Sequence, residues 1–257
     1  MKRLLQRANS FIKDLLLVSR IGILFAPLRH LLRFTLNFSL MSSWVNKNRG
    51  IPFTDYYRPF RKYTDREKLH RHVIRQERLD ERPIHYFEFG VAGGHSFRWW
   101  LDACKHENSR FFGFDTFEGL PEDWHFFKKG DMAYGVPSLQ DPRARFVKGI
   151  FQDTLLPFLE EYRGLKGGVA GAGDLLRVYP PVTRVLHMDA DLYSSTLFAL
   201  TAMAPYLHAG DVILFDEFNV PNHEFAAWEQ FSRCYYVRYE VMGSVNNFYQ
   251  TAIKILR

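Results

Sequence analysis

Cysteine is scarce in this chain of 257 residues, which contains only Cys104 and Cys234. Neither residue belongs to a C-x-x-C pattern or to a Cys/His pattern with metal-ligand spacing. A disulfide framework and a thiolate zinc site are therefore not expected. Without disulfides to preserve, the protein is expected in a reducing compartment, the cytoplasm.

Long apolar runs are also missing from the N-terminal region. Within residues 2–40 the longest uncharged run is 21–28, far short of the ~20 residues that cross a bilayer. No small-residue cleavage site follows an apolar run, so a secretory signal is not expected. Apolar residues recur here at helical spacing, with Arg and Lys on the other face, which predicts one or two amphipathic helices broken near Pro27. We favour a helical cap packed on the rest of the protein, and a peripheral membrane-binding helix pair is the alternative.

Acidic residues are sparse in the first third of the chain. Residues 1–84 carry 18 Lys and Arg against 7 Asp and Glu, whereas the remaining residues carry 16 against 21. The chain is therefore interpreted as a basic extension, residues 1–83, attached to a mildly acidic domain, residues 84–257. A basic extension suits nucleic acid, an anionic membrane or an acidic partner, and composition alone does not choose among them.

From residue 84 onward, short β-rich runs alternate with helical stretches. This alternation is typical of a parallel sheet with helices on both faces. A glycine-rich stretch, 164–174, precedes a strand rather than following one and is interpreted as a loop. The predicted strands are 84–89, 110–115, 145–148, 184–188 and 212–215, and the predicted helices are 96–106, 154–162, 194–208 and 224–234.

Two further β-rich runs, 236–242 and 248–256, end the chain. The gap between them is too short for a crossover helix, so the two strands must be antiparallel. The sequence therefore predicts a doubly wound, Rossmann-like α/β sheet of seven strands with a C-terminal antiparallel hairpin. Such a hairpin does not suit a nicotinamide dehydrogenase, and the G-x-G-x-x-G spacing of that class is missing.

The first predicted strand ends in a glycine turn that leads directly into a helix, EFGVAGGHS. Gly90, Gly93 and Gly94 allow the backbone to turn tightly and to approach a ligand. Glu88 at the strand end would repel a phosphate and attract an ammonium group. The second strand ends at Asp115, where a carboxylate in a doubly wound sheet can bind a ribose diol. The long connection after it is typical of a lid.

Four carboxylates follow the next two predicted strands. Asp189 and Asp191 lie just past one strand, and Asp216 and Glu217 lie just past the other. Because ligands bind outside the carboxyl ends of parallel strands, these side chains are expected to converge. Their mutual repulsion calls for a cation, and oxygen ligands favour a hard divalent ion such as Mg²⁺.

These motifs resemble one family of enzymes, the S-adenosylmethionine-dependent methyltransferases of the macrocin O-methyltransferase group. The resemblance runs from about residue 84 to the C-terminus and rests on five motifs in order: EFGVAGGHS, FFGFDTFEGLPEDW, FVKGIFQDTLLPFL, HMDADLYSSTLFAL and GDVILFDEFN. It implies a methyltransferase sheet, S-adenosylmethionine as methyl donor, Mg²⁺, and a hydroxyl acceptor on a sugar or another small molecule.

The resemblance also implies roles for individual residues. Asp189 is expected to serve catalysis, the donor and the metal together, and Asp191 to be a further metal ligand or the general base. Apart from the resemblance, His125 in the predicted lid is an alternative base. The other metal ligands implied are Asp216 and Glu217. The remaining donor-site residues implied are Glu88, Gly90, Gly93, Gly94, His95, Ser96, Asp115, Thr116, Gly149 and Asp153.

Other classes of protein stay open beside this interpretation. An RNA methyltransferase would explain the basic extension, but the acidic domain and the carboxylates suit a small neutral acceptor better, so nucleic acid is not the expected partner. A non-catalytic binding module would be expected to have lost acids that are all present. The sequence does not decide whether residues 1–40 contact a membrane surface. It also does not decide whether the protein forms a homo-oligomer.

Overall fold

The protein folds around one seven-stranded sheet with the order β3-β2-β1-β4-β5-β7-β6. The computed structural model describes residues 1–124, 126–165 and 182–256. All neighbouring strands are parallel except at β7, which is antiparallel to both β5 and β6. The strands are β1 (Ile84–Phe89), β2 (Arg110–Asp115), β3 (Ala144–Lys148), β4 (Thr183–Met188), β5 (Val212–Phe215), β6 (Tyr239–Val245) and β7 (Gln250–Ile255).

Helices precede the sheet and connect its strands. The predicted doubly wound α/β fold with a C-terminal antiparallel hairpin is confirmed, and three of the five parallel strands have the predicted bounds. The α-helices are α1 (Lys2–Val18), α2 (Arg29–Asn48), α3 (Arg66–Glu77), α4 (His95–Ala103), α5 (Phe151–Leu165), α6 (Tyr193–Met203) and α7 (Glu224–Cys234); 3₁₀ helices span Ile21–Leu28, Tyr63–Asp65 and Ala204–Tyr206. The glycine-rich stretch predicted as a loop lies almost entirely outside the described residues.

The first strand of the hairpin begins later than predicted. Residues 235–237 still close the end of α7, where the Val237 amide donates to the Ser232 carbonyl at 2.8 Å. Tyr236 has a φ of 52°, which ends the helix in a left-handed turn. The strand then contains a bulge between Val241 and Gly243. A Cβ added to Gly243 would lie 2.9 Å from the Phe53 ring. Residues 235–237, although β-rich in composition, therefore end a helix and do not belong to the strand.

Two hydrophobic clusters cover the two faces of the sheet. Successive residues of β1 alternate between them, with Phe87 and Phe89 in one cluster and Tyr86 in the other. The first cluster includes residues of α5, α6 and α7, and the second includes residues of α3 and α4. Because α3 belongs to the second cluster, the basic extension is partly built into the core.

The extension divides into an unburied part and a packed part. Helix α1 buries none of its side chains. Helix α2 packs through its second half, where Met41 is buried and the Trp44 indole donates to the Tyr239 hydroxyl at 2.8 Å. Helix α2 thus contacts the rest of the protein beyond most of residues 2–40, for which the sequence favoured a packed cap. Among the described residues, no helix combines the length and apolar character needed to cross a membrane.

Candidate active site

A cavity of about 530 Å³ opens at the carboxyl edge of the sheet. Residues at the ends of β1, β2, β4 and β5 line it, which is where ligands bind in doubly wound sheets. Of the predicted site residues, the six that line the cavity are Gly90, Asp115, Thr116, Asp189, Asp191 and Glu217.

Gly90 forms the floor between β1 and β4. Its backbone has a φ of 95°, and an added Cβ would lie 1.8 Å from the Asp189 carbonyl oxygen. The two strand ends are joined here, because the Asp189 amide donates to the Phe89 carbonyl at 2.9 Å. Only glycine satisfies both the backbone conformation and this close approach.

Replacing Gly90 with alanine should destabilise the fold by about 3 kcal/mol, since overpacking adds to the cost of a left-handed backbone. Gly210→Ala is the matched control: Gly210 has a φ of 94° but no atom within 4 Å of an added Cβ. That variant should lose only about 1 kcal/mol. Urea unfolding measures both values, and equal losses would show that the approach to Asp189 does not restrict the site.

Asp115 ties the end of β2 to the glycine turn. Its Oδ2 accepts hydrogen bonds from the Val91 and Ala92 amides, both at 2.8 Å, and its Oδ1 accepts from the Phe117 amide at 2.7 Å. The carboxylate therefore shapes the turn in addition to lining the cavity. A ribose hydroxyl would have to use the lone pairs that these three bonds leave.

The other predicted donor-site residues lie outside the cavity lining. Glu88 is 1% exposed and accepts a 2.6 Å hydrogen bond from the Tyr86 hydroxyl, so it lies beneath the cavity floor. Gly149 and Asp153 do not line the cavity, whereas the three residues between them do. Four more predicted donor-site residues do not line the cavity. Gly93 and Gly94 form the turn, and His95 and Ser96 are the first residues of α4.

The connection after β2 folds over the cavity. The Leu120 amide donates to the Asp131 carbonyl and the Gly130 amide donates to the Leu120 carbonyl, both at 2.9 Å. Leu120 and Trp124 pack against Leu192 at the start of α6. This arrangement agrees with a lid, but the predicted lid base His125 lies outside the described residues. The sequence analysis did not single out six cavity-lining residues of this loop: Gly119, Leu120, Pro121, Trp124, Met132 and Tyr134.

Two of the four predicted carboxylates, Asp189 and Asp216, lie in one group with His187. Candidate ligand atoms of His187, Asp189 and Asp216 all lie within 4.8 Å of one another. Glu217 is next to this group, and its Oε1 accepts a hydrogen bond from the Tyr249 hydroxyl. Within the described part of the chain, Asp216 Oδ1 and Glu217 Oε2 are buried and have no hydrogen-bond partner. Asp191 lines the cavity beside them with a φ of 57°, a backbone conformation that aspartate tolerates.

Arg66, at the start of α3, places a positive charge against these acids. Its Nη1 lies 3.3 Å from Asp216 Oδ2, and its side chain is 22% exposed. Burial alone would lower the pKa of Arg66, yet Asp216, Asp189 and Glu88 together raise it. Arg66 could not be predicted from the sequence, because 150 positions separate it from Asp216. The opposite net charges of the extension and the domain were the one feature of the sequence that suggested an ion pair between them.

Crowding and burial favour protonation of the acids. Burial, with the neighbouring Asp216 and Asp191, raises the pKa of Asp189 well above its usual range. Burial raises the pKa of Asp191 to about 8 and that of Glu217 to about 7. The charge of Arg66 alone therefore does not keep the whole cluster ionised. Such a site accepts further positive charge or retains protons.

The donor set fits a hard divalent cation in chemical type. Asp216 Oδ1 and Glu217 Oε2 are unpartnered buried oxygens, and Asp189 contributes a further carboxylate. His187, which was not predicted as a ligand, belongs to the same group. Arg66 supplies part of the positive charge that the sequence analysis assigned to the metal alone.

The sheet order with antiparallel β7 is that of the class I methyltransferase fold. The sequence profile of a family described as a methyltransferase domain matches residues 87–218. This match covers about half of the chain, and the chain belongs to that family. The prediction of a methyltransferase is thereby confirmed.

Solved structures with the same fold include two methyltransferases. CalS11, a calicheamicin methyltransferase, aligns with a TM-score of 0.55 at 18% identity, covering 86% of this chain and 91% of its own. The O-methyltransferase NovP aligns with a TM-score of 0.52 at 19% identity, covering 87% of this chain and all of its own. At these identities the likeness is one of fold. No curated protein sequence matches the chain.

Proposed function

We propose that the chain is an S-adenosylmethionine-dependent O-methyltransferase of the macrocin O-methyltransferase group that methylates a sugar hydroxyl. The observation that carries this proposal is the placement of the glycine turn and the carboxylate cluster at one cavity. On one side of the cavity, the glycine turn lets the donor approach the backbone, and Asp115 can bind it. On the other side, the carboxylate cluster offers oxygen ligands and a candidate base for the acceptor. The fold neighbour NovP is itself described as an O-methyltransferase.

The reaction needs alignment and removal of one proton. The acceptor oxygen attacks the sulfonium methyl carbon, the carbon–sulfur bond breaks, and S-adenosylhomocysteine leaves. Asp191 lines the cavity and is our candidate for the group that takes the hydroxyl proton. Closure of the lid residues Leu120 and Trp124 would exclude water from the reacting atoms.

A magnesium ion belongs to the proposal. Asp189 and Asp216 would hold it, with Glu217 contributing its unpartnered Oε2. When bound, the ion would lower the pKa of the acceptor hydroxyl and fix its orientation. Arg66 would remain the neighbour that orients Asp216.

The division at residue 83 also remains a proposal, with one refinement. Tyr63 and Arg66 line the cavity although they precede that boundary. We therefore expect the methyltransferase domain, 84–257, to require at least α3 of the extension for a complete site.

Calorimetry should show S-adenosylhomocysteine binding to the wild-type protein and binding about 10- to 100-fold more weakly to Asp115→Ala. The loss follows because the variant removes a carboxylate from the cavity and frees the Val91 and Ala92 amides. Asp102→Ala, an exposed acid of α4 outside the cavity, is the control and should bind like the wild type. Unchanged affinity in Asp115→Ala, or preferential binding of a nicotinamide dinucleotide, would overturn the donor-site assignment.

A further inference from the structure

The first 36 residues, here called the N-terminal arm, expose large apolar side chains to solvent. Apart from the half-buried Ala26, every residue of the arm is exposed. Leu4 is 75% exposed and Phe11 is 69% exposed. Contiguous apolar surface of this kind is uncommon on a monomeric soluble protein and marks an interaction surface. The exposed large apolar residues of the arm are Met1, Leu4, Leu5, Phe11, Ile12, Leu15, Leu16, Leu17, Val18, Ile21, Ile23, Leu24, Phe25, Leu28, Leu31, Leu32, Phe34 and Leu36.

Helix α1 separates its apolar and charged residues onto opposite sides. At about 100° per residue, one side of the helix carries Leu4, Leu5, Ala8, Phe11, Ile12, Leu15, Leu16 and Val18. The other side carries the basic residues Lys2, Arg3, Arg7 and Lys13. Leu17 is the one apolar side chain on the basic side. This distribution is typical of a helix that lies in the interface of a membrane.

The charge of the arm selects the type of surface. The arm contains seven Lys and Arg and a single acid, Asp14. The apolar 3₁₀ helix Ile21–Leu28 continues the apolar surface with no charge of its own. Nucleic acid would match the charge but would leave the apolar side in water. An anionic bilayer matches both, because its headgroups attract the basic residues while its acyl boundary receives the apolar side.

The arm is joined to the methyltransferase domain through α2. The Asn37 amide donates to the Asn222 carboxamide at 2.9 Å, and the Arg33 guanidinium lies 5.2 Å from the Tyr193 ring centre. These contacts root the arm on the domain at α6 and beside α7. A membrane-bound arm would therefore hold the domain at the bilayer surface.

We propose that the N-terminal arm binds the surface of an anionic lipid bilayer through the apolar side of α1 and the 3₁₀ helix. The proposal is independent of the reaction proposed above. The full-length protein should sediment with vesicles of phosphatidylcholine and phosphatidylglycerol and remain in the supernatant with phosphatidylcholine alone. Salt at ~1 M, which screens charges beyond ~3 Å, should release most of it.

Paired variants separate the two contributions. Leu15→Gln should weaken sedimentation at least several-fold, whereas Leu17→Gln, at a similarly exposed position on the basic side, should change it little. The triple variant Arg3→Gln, Arg7→Gln, Lys13→Gln should lower the partition coefficient about 100-fold, at roughly fivefold per basic residue. Its control, Arg75→Gln, Lys105→Gln, Lys129→Gln, removes the same charge from exposed positions outside the arm and should sediment like the wild type.

Circular dichroism should give the same thermal midpoint for all these proteins, because none of the altered side chains is buried. Equal weakening by Leu15→Gln and Leu17→Gln would overturn the proposal, as would binding that ignores lipid charge. Wild-type protein that stays in the supernatant with anionic vesicles would also overturn the proposal. Light scattering would then show whether the wild type is a dimer that Leu15→Gln dissociates. In that case a second copy of the chain, rather than a bilayer, covers the arm.

Discussion

Asparagine in place of Asp189 should lower the methyl-transfer rate on the order of a thousandfold, the scale expected for loss of a group that positions the reacting atoms and their charge. The affinity for S-adenosylhomocysteine should change only a few-fold, because we propose that other residues lining the cavity, Gly90 and Asp115, hold the donor. Thermal stability should stay equal or rise, since Asp189 is crowded by Asp216 and Asp191. A labelled-methyl assay, calorimetry and a melting curve measure the three effects.

Asp102→Asn is the matched control for this experiment, because it makes the same chemical change at an exposed position outside the cavity. Chelation should reproduce the loss of activity in the wild type, and added Mg²⁺ should restore the wild type but not Asp189→Asn. Full activity in excess chelator would refute the role of the metal. Full activity of Asp189→Asn would refute the assignment of the site itself.

Methionine in place of Arg66 should destabilise the fold by roughly 2–3 kcal/mol, because it leaves the buried Asp216 beside other acids without its cation. The variant should also bind Mg²⁺ more tightly if the ion enters the same cluster, since one competing positive charge is gone. Denaturant unfolding with and without Mg²⁺ measures both effects. The added metal should recover part of the lost stability.

The control lies about one and a half turns further along α3. Arg71 pairs with Glu67 at 2.9 Å and is 52% exposed, so Arg71→Met should cost only about 0.5 kcal/mol. Combining Arg66→Met with Asp216→Asn should recover most of the stability, because no unpaired charge remains. Additive losses in the double variant would show that the two residues do not act together.

The fold could be predicted because its signals are local. The β-rich runs at 84–89 and 110–115 are bounded by turn residues, and the short gap before 248 forces an antiparallel pair. The error at 236–242 shows the limit of such signals. Tyr236 has a strong strand preference, but its backbone closes α7, and that closure depends on contacts that composition does not reveal.

The site could be predicted as far as strand ends determine it. Asp115, Asp189, Asp191 and Glu217 reach the cavity because the carboxyl ends of parallel strands share one edge of the sheet. Glu88 also ends a strand region, but its side chain points beneath the floor toward Tyr86. The packing of α3 brings Arg66 to the carboxylate cluster, and no sequence pattern near residue 66 predicts this contact. Arg66 therefore supplies part of a positive charge that the sequence predicts from a metal alone.

The central claim is that this cavity transfers a methyl group from S-adenosylmethionine to a hydroxyl oxygen beside the carboxylate cluster. Its most direct test offers labelled S-adenosylmethionine and a panel of hydroxylated sugars, with Mg²⁺, to the wild type and to Asp189→Asn. We expect label in an O-methyl ether with the wild type and almost none with the variant. Label recovered equally from both proteins, or recovered on nitrogen or in RNA instead, would contradict the account.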